Sequence, residues 1–160
     1  MLNEALVLEK EKTTSIVCID KNYFYALGFC QKLIKVLVAI DPIIVSVFAH
    51  GIPIIAHKQA LKSGLDMLGC LVYGFDKISP KDLKKYIRDI EEKGDFVTDF
   101  TSSEVFDRNY LLRRNRIVAG LTNDTVVIQS NIKVGSMNME IMLTSSIRTC
   151  LSSLTWSPIN

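Results

Sequence analysis

The sequence predicts an α/β domain built on a mainly parallel sheet, and three observations carry that reading. Short runs rich in β-branched residues alternate with segments whose apolar residues recur at helical spacing. The runs are apolar at consecutive positions, as strands covered on both faces require. Proline and glycine stand where such units should start and stop.

Taken in order, "TSIVCI" (14–19) is the first strand, and Leu27, Cys30, Leu33, Ile34 and Leu37 define an amphipathic helix over Tyr25–Val38. Asp41-Pro42 turns the chain into "IIVSVF", the second strand. Pro53 near a first helical position and Gly64 just past the end bracket a second helix. "MLGCLVYG" (67–74) is a third buried strand. Ser79-Pro80 caps a helix carrying Leu83, Tyr86, Ile87 and Ile90, which Gly94 closes. "DFVTDF" (95–100) is the fourth strand, followed by a helix containing Arg113–Leu121. "DTVVIQS" is the fifth strand, Ser136 to about Ile147 a further helix, and "CLSSLTW" a last edge strand.

With 160 residues the chain has the length of one domain, read as residues 13–160 after a polar stub over 1–12. Val36–Ala56 is long and apolar, but Asp41-Pro42 and Gly51 to Pro53 interrupt it, so no membrane span is expected. The four cysteines are scattered without a C-x-x-C pair, and no signal peptide opens the chain, so a reducing cytoplasm is expected. The two histidines lack neighbours at metal-ligand spacing, so neither a metal nor a cofactor is expected.

Dinucleotide, P-loop and serine-elbow motifs are absent, and no catalytic constellation is found, so the chain reads as a non-enzyme. Positive charge, in contrast, gathers where an α/β domain binds ligands, at the strand-to-helix loops. Lys77, Lys81, Lys84 and Lys85 surround one helix start, and Lys133 precedes Gly135-Ser136 at another. Arg108, Arg113, Arg114 and Arg116 precede or open a third. Folded together these form a groove that tracks phosphates, with Tyr73, Tyr110 and Phe106 available to stack bases. Net charge is only +2, so such binding must rest on a local patch. The bland alternative is an exposed face kept soluble by lysines.

"DPIIVSVFAHGIPIIAHKQALKSG", "YGFDKISP" and above all "FDRNYLLRRNRIVAGLTNDTVVIQSNIKVGSMN" resemble the DNA-processing protein DprA (Smf) family, in order and spacing, from about Ser15 to Ile147. The resemblance implies a Rossmann-like three-layer α/β/α core that binds single-stranded DNA as a dimer. It also implies a role in loading the recombinase RecA onto incoming DNA during natural transformation. Gly51, His57, Arg113, Arg114, Arg116, Gly135 and Ser136 match the family pattern.

Several pocket positions depart from it. Cys18-Ile19-Asp20 stands where the family has a Gly-Ser/Thr-Arg turn, which exchanges an attraction of roughly 1.5–3 kcal/mol for repulsion. Lys21 is the compensating cation. The segment Ser46 to Pro53 has lost a glycine and an aspartate to Val47 and Pro53, and Gln129-Ser130-Asn131 replaces Glu-Ala-Gly. Past about residue 147 the family's closing strand does not continue, which suggests an altered end. Three readings stay open: a weakened DprA-like DNA binder, a diverged inactive relative, or a small Rossmann-like nucleotide enzyme. The last lacks the P-G-G-x-G-T motif of the lysine-decarboxylase-like phosphoribohydrolases.

Overall fold

The structure is a computed structural model and describes residues 13–19, 23–77, 81–103, 107, 109–130 and 149–152. The elements are β1 (Thr13–Ile19), α1 (Tyr23–Leu37), β2 (Ile43–Val47), α2 (Ile52–Ser63), β3 (Met67–Cys70), α3 (Ile87–Glu91), β4 (Gly94–Val97), α4 (Tyr110–Leu121), β5 (Asp124–Ser130) and β6 (Thr149–Ser152). Six strands form one sheet in the order β4-β3-β2-β1-β5-β6, every pair parallel. This is the expected Rossmann-like α/β architecture. Strand order reverses between β1 and β5, where such sheets open a crevice at their carboxyl ends.

The strands β2, β3 and β4 split their side chains between two cores, as the period of two dictates. Ile44, Met67 and Phe96 face one layer, packing with Ala26, Cys30 and Ile34 of α1, Ala56 and Ala60 of α2, and Ile90 of α3. Ile43, Val45, Val47, Leu68, Cys70 and Val97 face the other, under Val118 and Ala119 of α4. Cys30 and Cys70 are buried and not joined in disulfides, and they pack as small hydrophobes.

Local signals set the boundaries. Asp41, at φ 43°, turns α1 into β2 in the left-handed region that Asp tolerates. Gly51 precedes α2 at φ 89°, Pro53 lies in its first turn, and Gly64 ends it at φ 76° with its N–H on the carbonyls of Ala60 and Leu61. The start of β1 is tied across the sheet: the Thr13 N–H donates to Asn123 Oδ1 at 2.9 Å, and its hydroxyl donates to the Leu121 carbonyl at 2.7 Å. No helix among the described residues is long and apolar enough to cross a membrane.

Several boundaries differ from the sequence reading. The third and fourth strands stop at Cys70 and Val97, four and three residues early, because the chain there turns into loops that bond to each other. The segment read as one helix through Leu83 and Ile90 is a 3-10 turn over Lys81–Tyr86 followed by the short α3. Gly94 opens β4 instead of closing that helix: a Cβ there would meet the Met67 carbonyl oxygen at 1.9 Å. The expected helix from Ser136 lies outside the described residues.

Candidate nucleic-acid interface

The described part of the carboxyl edge consists of the loops that follow β2, β3 and β4. The last two are zipped together. The Leu71 N–H donates to the Val97 carbonyl at 2.9 Å, Thr98 Oγ1 to the Tyr73 carbonyl at 3.0 Å, and the Asp76 N–H to the Ser102 carbonyl at 3.2 Å. Gly74 permits this approach, since a Cβ there would meet the Thr101 carbonyl oxygen at 1.9 Å. These two loops are therefore one fixed wall rather than separate segments.

The helix α4 starts on that wall. Asp107 accepts the Asn109 N–H at 2.7 Å, an Asx turn that launches the first turn. The Tyr110 ring stacks on Phe100 at 4.4 Å, and the Arg113 guanidinium lies 5.0 Å from the same Phe100 ring. Arg113 Nε and Arg116 Nη2 then converge on Asp99 Oδ2, at 2.8 and 3.0 Å. Three residues apart on one helix face, these two arginines share a single carboxylate.

Arg114 has turned the other way, toward the sheet. It is 7% exposed, and its Nε and Nη2 donate to one neutral acceptor, Asn115 Oδ1, at 3.3 and 3.1 Å. Among the described residues no carboxylate pairs with it. Burial pushes its pKa down to about 10, partly opposed by Cys70 and Tyr73, which lie close enough to act on its charge. Burial in turn pushes the Cys70 thiol up to about 12, so that neighbour is neutral at ordinary pH. A desolvated guanidinium with no counter-charge is costly unless an anion completes it. Phosphate is the anion whose geometry the guanidinium fork fits.

The other predicted positions divide. Lys81, Lys84 and Lys85 are exposed on the 3-10 turn, which His50 Nε2 ties to the loop after β2 through Asp82 Oδ1 at 3.3 Å. Gly51 heads α2 on that loop. Lys85 lies 5.1 Å from the Tyr86 ring, and Lys58 Nζ donates to the Tyr86 hydroxyl at 3.0 Å, which holds that phenol below its usual pKa. Lys21, Lys133, Gly135, Ser136 and Phe106 lie outside the described residues.

Two expectations are corrected. His57 is 0% exposed beneath β2 and cannot touch a strand lying on the surface. Its ring nitrogens have no hydrogen-bond partner among the described residues, and burial pushes its pKa down to about 4. The backbone of Ser46 and Val47 opposes part of that shift without reaching hydrogen-bonding geometry. Tyr73 and Tyr110 are not open stacking platforms either: the first is 1% exposed and the second is stacked on Phe100. Phe75, 40% exposed after β3, is.

Sequence reasoning passed over Asp99 and Lys58. Asp99 is separated from its arginines by 14 and 17 residues, and Lys58 from Tyr86 by 28, so no local spacing marks either pair. Among the described residues no group of His, Cys, Asp and Glu is placed to hold a metal ion.

The family model for DNA recombination-mediator protein A matches residues 4–149. A putative DNA processing protein DprA from Mycobacterium tuberculosis is 31% identical over 98 residues, 61% of this chain and 25% of that protein. The chain spans 25% to 34% of the length of the curated relatives it matches. DNA processing protein A from Streptococcus pneumoniae superposes with a TM-score of 0.81 at 23% identity, covering 91% of this chain and 51% of that one. DNA processing protein A from Helicobacter pylori, a structure concerned with that protein's single-stranded DNA binding mode, superposes at 0.84 and 22% identity, covering 94% and 69%.

Proposed function

We propose, from the premise that this chain belongs to the DNA recombination-mediator protein A (DprA/Smf) family, that it binds single-stranded DNA along the carboxyl edge of its sheet. The observation that carries the reading is Arg114, a buried guanidinium held by a neutral amide and lacking a carboxylate among the described residues. It is the receptor for one phosphate. Lys81, Lys84 and Lys85, exposed on the 3-10 turn, follow the backbone, and the amides at the start of α2 after Gly51 add positive potential. Lys21, Lys133, Gly135 and Ser136, which follow β1 and β5 in the sequence, belong to the same proposal as further phosphate contacts.

The rest of the family role belongs to the same proposal: a non-enzymatic, cytoplasmic, dimeric protein, a single domain over residues 13–160, that places RecA on incoming strands during natural transformation. No cofactor takes part. Binding comes from positioned charge, so affinity should fall with salt as counterions are released.

Fluorescence anisotropy with labelled oligo-dT tests the reading. We expect a signal at low salt that weakens with added salt. Arg114→Met should weaken binding about tenfold or more, the loss of a charge-assisted contact. Its melting temperature should hold or rise, because an unpaired buried charge has been exchanged for an apolar side chain. A second reading is favoured by Asp99, which already occupies Arg113 and Arg116. On that reading the chain is a diverged relative that keeps the fold alone. No binding at low salt, with a cooperative melt intact, would decide for it.

A further inference from the structure

A second feature flanks the same strand end as Arg114. Cys70 and Leu71 point to opposite sides of β3, Cys70 toward Arg114 and Leu71 into a cavity of about 190 Å³. Phe48, Phe75 and Phe96 line that cavity, and Glu91 and Asp95 stand in its wall. Phe48 and Phe96 meet edge to face at 5.0 Å and 77°, while Phe75 leaves 40% of its surface open. The volume is below the ~300–1,000 Å³ of sites that enclose a whole small-molecule ligand, so the cavity takes one flat ring system.

We infer that this cavity receives one base of the bound strand and prefers guanine. The inference rests on the DNA-binding reading and names a base that the strand should contain. Two carboxylates repel a phosphate, so the cavity takes the base and leaves the backbone outside. A carboxylate satisfies a base edge that presents adjacent N–H donors, and the Watson–Crick edge of guanine presents the ring N1–H beside the N2 amino group. Thymine flanks its one N–H with two carbonyls, which the carboxylates repel. Cytosine and adenine each place a ring acceptor beside the amino group. Single strands expose these edges for reading.

The two acids have separate parts. Asp95 Oδ1 accepts the Phe96 N–H at 2.7 Å, which fixes that carboxylate against the strand. Glu91 is exposed on α3 and makes no ion pair among the described residues, so both of its oxygens can meet the guanine edge. The phenyl rings supply the faces on which any base stacks, and the carboxylates supply the choice. Gly69 belongs to the same construction: a Cβ there would come within 2.6 Å of the Phe96 ring, so its lack of a side chain sets where that wall stands.

The test is competition against labelled oligo-dT by unlabelled oligo-dT carrying one central dG, one deoxyinosine or one dA. We expect the dG strand to compete about tenfold better than plain oligo-dT, the scale of one charge-assisted contact. Deoxyinosine, which lacks the N2 amino group, should lose most of that gain, and dA nearly all of it. Glu91→Gln should bring dG to within about twofold of dT, while affinity for oligo-dT holds or rises slightly because a negative charge near phosphate has gone. Phe75→Ala should weaken both strands. Equal competition by dG and dT strands, with oligo-dT itself binding, overturns the guanine inference and leaves the DNA-binding reading standing. Failure of oligo-dT to bind overturns both.

Discussion

Arg114 is held by its immediate neighbour in the chain, Asn115, whose Oδ1 accepts from it twice, at 3.3 and 3.1 Å. The amide orients the guanidinium without cancelling its charge. Asn115→Asp would cancel it while changing little else in shape. We expect that variant to melt at or above the wild-type temperature and to lose oligo-dT affinity about tenfold or more. Unchanged affinity would remove Arg114 from the interface.

Asp99 holds the other two arginines. Asp99→Asn should cost about 1 kcal/mol of stability or less, since Arg113 and Arg116 are 46% and 61% exposed and water screens the pair. It should also release two cations toward the strand, raising affinity at low salt and steepening the salt dependence by about one to two phosphate contacts. Urea titration and anisotropy at several salt concentrations check both halves. A looser complex would mean that the two arginines serve the strand only while Asp99 aims them.

His57 gives a pH signature. Its folded-state pKa of about 4 lies below the ordinary 6.5, so the unfolded chain binds the proton more readily. Stability is therefore complete above pH 6.5 and falls on acidification, with the loss levelling near pH 4 at about 3 kcal/mol. Chemical unfolding at pH 7.5 and 5 should differ by about 2 kcal/mol from this group alone. His57→Leu should flatten that dependence and leave oligo-dT affinity at pH 7.5 unchanged. A steep dependence that survives the substitution assigns it elsewhere.

Gly69→Ala sends a methyl group against Phe96 Cδ1 and Cε1, at 2.6 and 2.7 Å. The ring must turn toward the cavity, at a cost of about 1–3 kcal/mol. Melting should report the loss, and any preference for dG should fall with it while oligo-dT still binds. A variant as stable as wild type would show that the ring has room to move.

Much of this was open to inspection in the linear chain, and the reasons differ by element. The strands announced themselves because a β-branched run is a local property. The start and end of α2 did so because Pro53 and Gly64 are local as well. Leu83 through Ile90 misled because, over two turns, periods of 3.0 and 3.6 place the same residues inward. Gly94 misled because its reason lies in Met67, 27 residues earlier on the neighbouring strand. In "RRNR" the spacing already put Arg113 and Arg116 on one helix face and Arg114 on another. Which face met the sheet depended on a fold that only the whole chain defines. Asp99 was silent for the same reason, since its arginines are joined to it in space and not in sequence, and the cavity was too, because residues from Phe48 to Phe96 meet to line it.

The buried guanidinium has a consequence for the protein's lifetime. Among the described residues an empty molecule leaves Arg114 buried with only an amide for company, whereas one carrying a phosphate does not. On the proposed reading, ligand and folded state therefore rise together, by RT ln(1 + [L]/Kd). Molecules engaged on a strand would resist heat and proteases, and idle ones would be the first to open and be degraded. The abundance of the protein would then follow the supply of single strands with no dedicated sensor.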